Sequence, residues 1–292
     1  MTPRADKMPL LQWGSGQTRA AVIMRQSFQH KPPLRICTTT LWEYPSQDYG
    51  REPHGDKDYV GATPAWVIWN LLQRYTRTGD VILDPMCGSG TTLDVARELG
   101  RTAMGFDLAP RRADIKPADA RHIPLANASV DFVFIDPPYS THVDYSDDPR
   151  CIGKLSAAPD PQQSGNAYYQ AMEQVFKQCH RVLKNRRYMA VYVSDSFKKG
   201  RPFMPIGFEL FGILRTMFDP VDIIAVVRHN QKLGRGNWHK AAEEGNYFLR
   251  GFNYLLIFKK YDADSSGERD AKRLPAAEQR RKDAHNHGRQ QR

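Results

Sequence analysis

Short apolar runs and longer periodic stretches follow one another along the middle of the chain. Apolar runs, which are typical of strands buried on both faces, lie at 80–84, 102–106, 130–135, 188–193, 221–227 and 253–258. Apolar residues spaced three or four apart predict helices over 65–75, 91–99, 167–183 and 208–217. A β-branched segment at 36–42 predicts one more strand. Thr63 is expected to cap the first helix, with Pro64 at its first position.

This order of elements predicts an α/β fold. Strands separated by helices indicate a mainly parallel sheet with helices on both faces. In such sheets, ligands bind beyond the carboxyl ends of the strands. We therefore expect the functional residues to lie directly after strands.

The two ends of the chain differ in composition from its middle. The first 35 residues carry six basic side chains and one acid, and we interpret residues 1–35 as a basic extension. Residues 261–292 contain one large aliphatic residue, Leu274, so this polar tail is expected to be disordered because it cannot bury enough surface to offset ordering. A single catalytic domain is predicted over residues 36–260.

Composition and charge narrow the class of protein. The chain has 292 residues, 40% of them hydrophobic, and a formal net charge of +10, which favours a polyanionic partner such as nucleic acid. No run of 18 apolar residues and no secretory signal is visible, and the four cysteines lie far apart without a CxxC pair or zinc-like spacing. We expect a cytoplasmic protein with no disulfide scaffold and no metal site.

A glycine-rich turn follows the strand that ends at Asp84. Two glycines at alternate positions let the backbone turn sharply and approach a ligand just before a helix begins. The dinucleotide fingerprint requires a third glycine three residues on, where Leu93 stands instead, so a ligand without a pyrophosphate fits better. The candidate binding residues of this turn are Asp84, Pro85, Met86, Cys87, Gly88, Ser89 and Gly90.

Two further acids lie after or before neighbouring strands. Asp107 ends the next strand, where a carboxylate accepts hydrogen bonds from ribose hydroxyls. Asp119, followed by Ala120, precedes the third strand and is suited to an adenine amino group. Taken singly, each acid fits equally well as a helix cap or a loop acid. Together with the glycine turn, the two acids predict a binding site for an adenosine with an attached amino acid, which is S-adenosylmethionine.

The third strand ends in the tetrapeptide Asp136, Pro137, Pro138 and Tyr139. The prolines fix φ, so the Asp136 carboxylate and the Pro137 carbonyl form a rigid pair of hydrogen-bond acceptors, and Tyr139 offers a stacking face. Two acceptors can orient the amino group of an unstacked base toward a methyl donor. In isolation the same residues would be an ordinary turn. After this strand and the glycine turn, they predict a catalytic site.

The glycine turn and the tetrapeptide together resemble the DNA amino-methyltransferases, which modify N6 of adenine or N4 of cytosine. The resemblance covers about residues 36–260, and the motif order is similar to the γ arrangement of that family. It implies a Rossmann-like, seven-stranded, mainly parallel sheet with an antiparallel last strand, 221–227 and 253–258 forming the final hairpin. It also places the helix from Thr63 beside the methionine end of the cofactor, which adds Thr63 to the cofactor site.

No separate recognition domain follows the tetrapeptide, and Met86 stands where the family often has Phe. The loop 140–165 and the segment 228–251 remain for substrate recognition. The second segment interleaves basic, amide and aromatic side chains, so its candidate nucleic-acid contacts are Arg228, Lys232, Arg235, Trp238 and Lys240. An ordinary solvated hairpin loop has the same composition. So small a region leaves room for a second copy of the chain or a helper protein.

The sequence predicts site-specific DNA methylation, and other functions fit its motifs less well. A 5-methylcytosine enzyme needs a cysteine nucleophile, typically after a proline, and no cysteine here follows one. Guanine-N2 methyltransferases of transfer or ribosomal RNA resemble this pattern but usually carry an RNA-binding domain. Protein glutamine methyltransferases usually begin the tetrapeptide with Asn, and a regulator that only binds the cofactor has a broken catalytic turn. The aspartate in the tetrapeptide favours adenine over cytosine, and the biological setting, restriction–modification among others, stays open.

Overall fold

The computed structural model describes residues 31–139, 146–158, 166–197, 202–229 and 234–262. Within them, eight strands form one sheet: β1 Leu41–Trp42, β2 Val81–Asp84, β3 Thr102–Asp107, β4 Lys116–Pro117, β5 Val130–Ile135, β6 Leu183–Val193, β7 Asp219–Val227 and β8 Phe252–Lys259. The helices described are α1 Ala65–Tyr75, α2 Thr91–Glu98, α3 Ala167–Val182, α4 Ile206–Leu214 and α5 Gly236–Glu244, with 3₁₀ turns at Ala120–His122 and Ile152–Lys154. Most of the predicted termini, 1–30 and 263–292, lie outside these residues, as do 140–145 and 159–165 of the predicted recognition loop.

The strands are ordered β1-β7-β8-β6-β5-β2-β3-β4 across the sheet. All pairs are parallel except those of β8, which runs antiparallel to both β6 and β7. The predictions of a mainly parallel sheet and of an antiparallel last strand paired with its predecessor are therefore confirmed. The described sheet has eight strands rather than seven, two of which are edge strands of only two residues each.

Alternate residues of the central strands pack into two separate cores. Leu83, Val133 and Val191 face the layer that contains α3 and α4, with Phe176 and Leu210 at its centre. On the opposite face, Ile82, Phe132 and Ala190 pack against α1 and α2 through side chains such as Ile68 and Val95. Because helices cover both faces, the central strands are apolar along their whole length rather than alternating.

The structure corrects several predicted element boundaries. The strand expected at 36–42 is only two residues long, because it pairs with β7 at Ala225 and Val226 alone. Strand β6 begins five residues earlier than predicted, at Leu183, which pairs with Val130 before a bulge. The extension is polar at Lys184, Asn185, Arg186 and Arg187, and Arg186 within it has a φ of 62°. In the described part of the chain, no helix is both long enough and apolar enough to cross a membrane.

Candidate active site

Four parallel strands end at one edge of the sheet, and each end carries a polar side chain. Asp107 is the last residue of β3 and Asp84 of β2, while Asp136 and Ser194 come directly after β5 and β6. All four line a cavity of about 1110 Å³. The strand order therefore fixes the lateral order of the site, with Asp107 and Asp84 on one side of Asp136 and Ser194 on the other. The prediction that functional residues follow the strands is consistent with this arrangement.

The glycine turn is tightly held against the neighbouring strand. The Cys87 amide donates to the Phe106 carbonyl at 2.9 Å, and the Gly88 amide donates to Asp107 Oδ2 at 2.9 Å. Gly88 has a φ of 47°, and a Cβ atom there would lie 2.8 Å from the Tyr59 ring. A larger residue is thus excluded both by backbone conformation and by space. The turn lines the cavity from Pro85 to Ser89.

Ten of the eleven predicted cofactor residues line the cavity: Thr63, Asp84, Pro85, Met86, Cys87, Gly88, Ser89, Asp107, Asp119 and Ala120. Gly90 is not among the cavity residues. It is the N-cap of α2, in a left-handed conformation with a φ of 82°. Its position therefore fits a role in starting the helix rather than in touching a ligand.

Asp84 is buried beneath the turn. Its Oδ2 accepts from the Thr92 hydroxyl at 2.6 Å, and its Oδ1 accepts from the Met86 amide at 3.1 Å. Burial raises the pKa of Asp84 to about 7, although these two hydrogen bonds oppose the shift. Removing the carboxylate from water is therefore the larger effect. A cationic ligand beside this carboxylate would favour its ionised form.

Asp107 and Asp119 bind the protein backbone as well as facing the cavity. Besides Gly88, Asp107 accepts from the Ala109 amide through Oδ1 at 3.0 Å. Asp119 caps the 3₁₀ turn at Ala120–His122 and forms an ion pair with Arg121, whose Nη2 lies 2.6 Å from Oδ2. Burial raises the pKa of Asp119, but the hydrogen bonds from Arg121 outweigh burial and leave it lowered. Asp119 is thus a cap and Asp107 a loop acid, the two alternatives that the sequence left open, and both border the cavity.

Asp136 is half-buried and lines the cavity. The Thr63 hydroxyl donates to Oδ2 at 2.5 Å, and the Tyr139 hydroxyl donates to Oδ1 at 2.7 Å. The Tyr168 hydroxyl, on α3, donates to the Pro138 carbonyl at 2.8 Å and so ties the turn after β5 to helix α3. An ionised carboxylate has about four acceptor sites, so acceptor capacity remains for a bound group.

Burial also raises the pKa of Asp136 to about 7. The hydrogen bonds from Thr63 and Tyr139 and the positive charge of Arg228 act in the opposite direction. The contact between Thr63 and Asp136 corrects the prediction that Thr63 caps helix α1. Pro64 is the N-cap of α1 and makes no side-chain cap bond, and the Thr63 hydroxyl binds a carboxylate 73 residues away instead.

The predicted nucleic-acid contacts divide into two groups. Arg228, which follows β7 directly, and Trp238 line the cavity. Arg235, the N-cap of α5, and Lys240, which pairs with Glu244 at 3.7 Å, lie outside it. The fifth residue, Lys232, lies outside the described residues. Part of the segment interpreted as a loop, Gly236–Glu244, is in fact helix α5.

Several cavity residues were not named individually from the sequence, and two groups of them lie on the β6–β8 side, the second inside the predicted recognition segment 228–251. The first follows β6: Asp195 accepts from the Gly207 amide at 3.0 Å and from the Tyr254 hydroxyl at 3.1 Å, and Phe197 follows it. The second is the segment from Tyr247 to Arg250, which leads into β8. The rings of Phe197 and Tyr247 stack with centroids 4.8 Å apart. The first group could have been found, because it occupies a strand end as Asp136 does.

A sequence model of the family described as DNA methylase matches residues 14–116 and 130–291. Three type II methyltransferases match shorter stretches. M.MjaII of Methanocaldococcus jannaschii is 39% identical over 57 residues, 20% of this chain and 11% of its own. M.HinfI of Haemophilus influenzae is 27% identical over 90 residues, which cover 31% of this chain and 23% of M.HinfI. M.ScaI of Streptomyces caespitosus is 32% identical over 85 residues, 28% of each chain. The matched stretches span less than a third of each relative.

Proposed function

The chain belongs to the DNA methylase family, and on that premise we propose that it transfers a methyl group from S-adenosylmethionine to an exocyclic amino group of a DNA base. The observation that carries this proposal is the half-buried Asp136 carboxylate, which lines the same cavity as the glycine turn and a group of basic and aromatic side chains. N6 of adenine is the favoured target, since the tetrapeptide begins with aspartate. N4 of cytosine is the alternative within the same chemistry.

The residues on the β2–β3 side of the cavity fit S-adenosylmethionine. Gly88 and Asp107 both line the cavity, and the Gly88 amide donates to the Asp107 carboxylate. At about 1110 Å³, the cavity is slightly larger than the range of about 300–1,000 Å³ for a single small ligand, so it has room for a nucleoside-sized cofactor and a base. Bound there, the cofactor supplies a methyl group on a positively charged sulfur.

The residues around Asp136 position the base that receives the methyl group. A base amino group is a poor nucleophile because its lone pair is delocalised into the ring. We assign one amino hydrogen to the remaining acceptor capacity of Asp136 and the other to the Pro137 carbonyl, the second acceptor expected from the sequence. Pro137 is not itself among the cavity residues, whereas Pro138 is, and its carbonyl accepts from the Tyr168 hydroxyl. This arrangement aims the nitrogen toward the cofactor side of the cavity. The Asp136 carboxylate must be ionised to accept both the hydroxyls and the amino group.

The opposite rim is suited to a nucleic acid that carries the base. Arg228 is close enough to Asp136 to lower its pKa, and its Nη1 lies 3.4 Å from Ser194 Oγ. Trp238 and Phe248 add aromatic surface at the same side of the cavity. Basic and aromatic side chains in this combination contact phosphates and unstacked bases. These features support DNA as the substrate and site-specific methylation as the activity.

The proposal is tested by incubating the protein with methyl-labelled S-adenosylmethionine and unmethylated genomic DNA, with total RNA in a parallel reaction. The products are digested to nucleosides and identified by mass spectrometry. Labelled N6-methyladenine or N4-methylcytosine from DNA is the expected result and names the base. Label found only in RNA, or in neither polymer, would contradict the proposal.

A further inference from the structure

Phe248 is exposed at the rim of the cavity in a way that the rest of the fold does not explain. Its side chain is 85% exposed, the highest fraction among the large hydrophobic residues exposed in the described part of the chain. A single exposed apolar side chain is common on protein surfaces. Phe248 differs because it borders the same cavity as Asp136 and Tyr139. A ring kept in water beside a substrate cavity suggests contact with the substrate.

The segment that carries Phe248 is held firmly. The ring of Tyr247 stacks on Phe197, and its amide donates to the Ala242 carbonyl at 3.0 Å. On the other side, Arg250 Nη2 donates to the carbonyl of Phe248 itself at 2.9 Å, while its guanidinium lies 5.2 Å from the Phe203 ring. Phe248 is therefore presented from a backbone anchored on both sides. A side chain that inserts between stacked bases needs a backbone that is held in place in this way.

The place of Phe248 in the fold puts it on the nucleic-acid side of the cavity. Residues 247–250 precede β8, whose antiparallel direction puts its first residues at the edge where the other strands end. Because β8 lies between β6 and β7, these residues lie beside Ser194 and Arg228 and away from the cofactor turn. The amide of Arg228 donates to the Gly251 carbonyl at 2.9 Å, which ties the two rim segments together.

We propose that Phe248 inserts into the DNA duplex and fills the space left when the target base moves into the cavity. This inference rests on the proposed function. A base that enters the cavity to reach the half-buried Asp136 must leave its stack, and the gap then exposes the faces of the neighbouring bases and the unpaired partner base. A phenyl ring covers those faces, and apolar wedges of this type are common in proteins that distort DNA. Because the ring has no hydrogen-bonding group, it stabilises the gap whatever the partner base is.

The test compares the wild-type protein with Phe248→Ala on two duplexes that contain the sequence found to be methylated in genomic DNA. In one duplex the target base is paired, and in the other it is mismatched, so that it leaves the stack at lower cost. Loss of one stacked aromatic predicts that kcat/KM on the paired duplex falls between about 5-fold and about 150-fold. On the mismatched duplex the loss shrinks to a few-fold. Phe248→Trp is expected to retain most of the activity on both.

Two controls separate the wedge from other effects. Phe208→Ala removes a phenylalanine that is 65% exposed and does not line the cavity, and it is expected to match the wild type on both duplexes. A fluorescent 2-aminopurine at the target position reports unstacking, and Phe248→Ala should reduce the fluorescence rise on binding. Equal loss on both duplexes, or no loss on either, would overturn the wedge. Failure of the wild-type protein to methylate any DNA would instead overturn the proposed function, and the wedge with it.

Discussion

The burial of Asp84 should make the stability of the protein depend on pH in a way that one substitution removes. Its pKa is 3.8 in the unfolded chain and about 7 in the folded protein, because burial disfavours the charged form. The folded state therefore binds the proton more tightly. This contribution to stability is complete below pH 3.8, is lost as pH rises toward 7, and is constant above 7. The asparagine of Asp84→Asn does not titrate, so the stability of this variant does not fall with pH for this reason.

The size of the effect follows from the two pKa values. Each pKa unit corresponds to about 1.4 kcal/mol, and the window from pH 5 to pH 8 contains about two units of the difference. The free energy of unfolding of Asp84→Asn, relative to the wild type, should thus rise by about 2.5 kcal/mol between pH 5 and pH 8. The amide that replaces the carboxylate changes the hydrogen bonds with Thr92 and Met86, which adds an offset that does not vary with pH. Asp136 titrates in both proteins, but its charge contributes to the raised pKa of Asp84, so the same comparison in an Asp136→Asn background isolates the titration of Asp84.

Urea unfolding of both proteins without cofactor, at half-unit steps from pH 5 to pH 8, measures this difference. Asp114→Asn is the matched control. Hydrogen bonds from Arg112 and Arg97 lower the pKa of Asp114 to about 2, so it is ionised in both states across this window and its substitution effect should be constant. A stability difference between Asp84→Asn and the wild type that stays constant with pH would refute the reasoning.

Two further predictions concern the bound state. Asp107→Asn should weaken S-adenosylmethionine binding about 10- to 100-fold by calorimetry, because an amide replaces a charged acceptor; unchanged affinity removes Asp107 from the ribose site. For methyl transfer, kcat/KM should rise with pH to a plateau, with a midpoint of about 7, because protonated Asp136 is a poorer acceptor. Thr63→Val removes a hydroxyl donor to that carboxylate and should move the midpoint to higher pH, whereas Thr63→Ser keeps the donor and should leave the midpoint unchanged. If the midpoint of Thr63→Val equals that of the wild type, the assigned contact is contradicted.

Local sequence pattern was sufficient for the central strands and for the residues that follow them. Strand β5 is buried at all six positions, and a run of this kind that ends in Asp136 and two prolines predicts both the strand and its end. The same logic places Asp84 and Asp107 at strand ends. In each case the signal lies within about ten residues of the side chain concerned, so periodicity and turn chemistry suffice.

The parts that were missed depend on contacts between distant segments. The sequence around Thr63 fits a helix cap, and only the fold brings its hydroxyl to Asp136. The stacking of Phe197 on Tyr247 joins residues fifty positions apart, and it organises a rim that composition alone described as a loop. Helix α5 was missed because only Ala242 of its residues is buried, so it has no apolar face to detect.

The central claim is that methyl transfer depends on the Asp136 carboxylate while cofactor binding does not. The most direct measurement pairs two assays on Asp136→Ala: transfer of labelled methyl groups to DNA, and S-adenosylmethionine affinity by calorimetry. Asp222→Ala, which removes an exposed acid from β7, is the control. We predict that Asp136→Ala loses transfer by at least about 100-fold and keeps an affinity within a few-fold of the wild type. Near-normal transfer by Asp136→Ala would contradict the account.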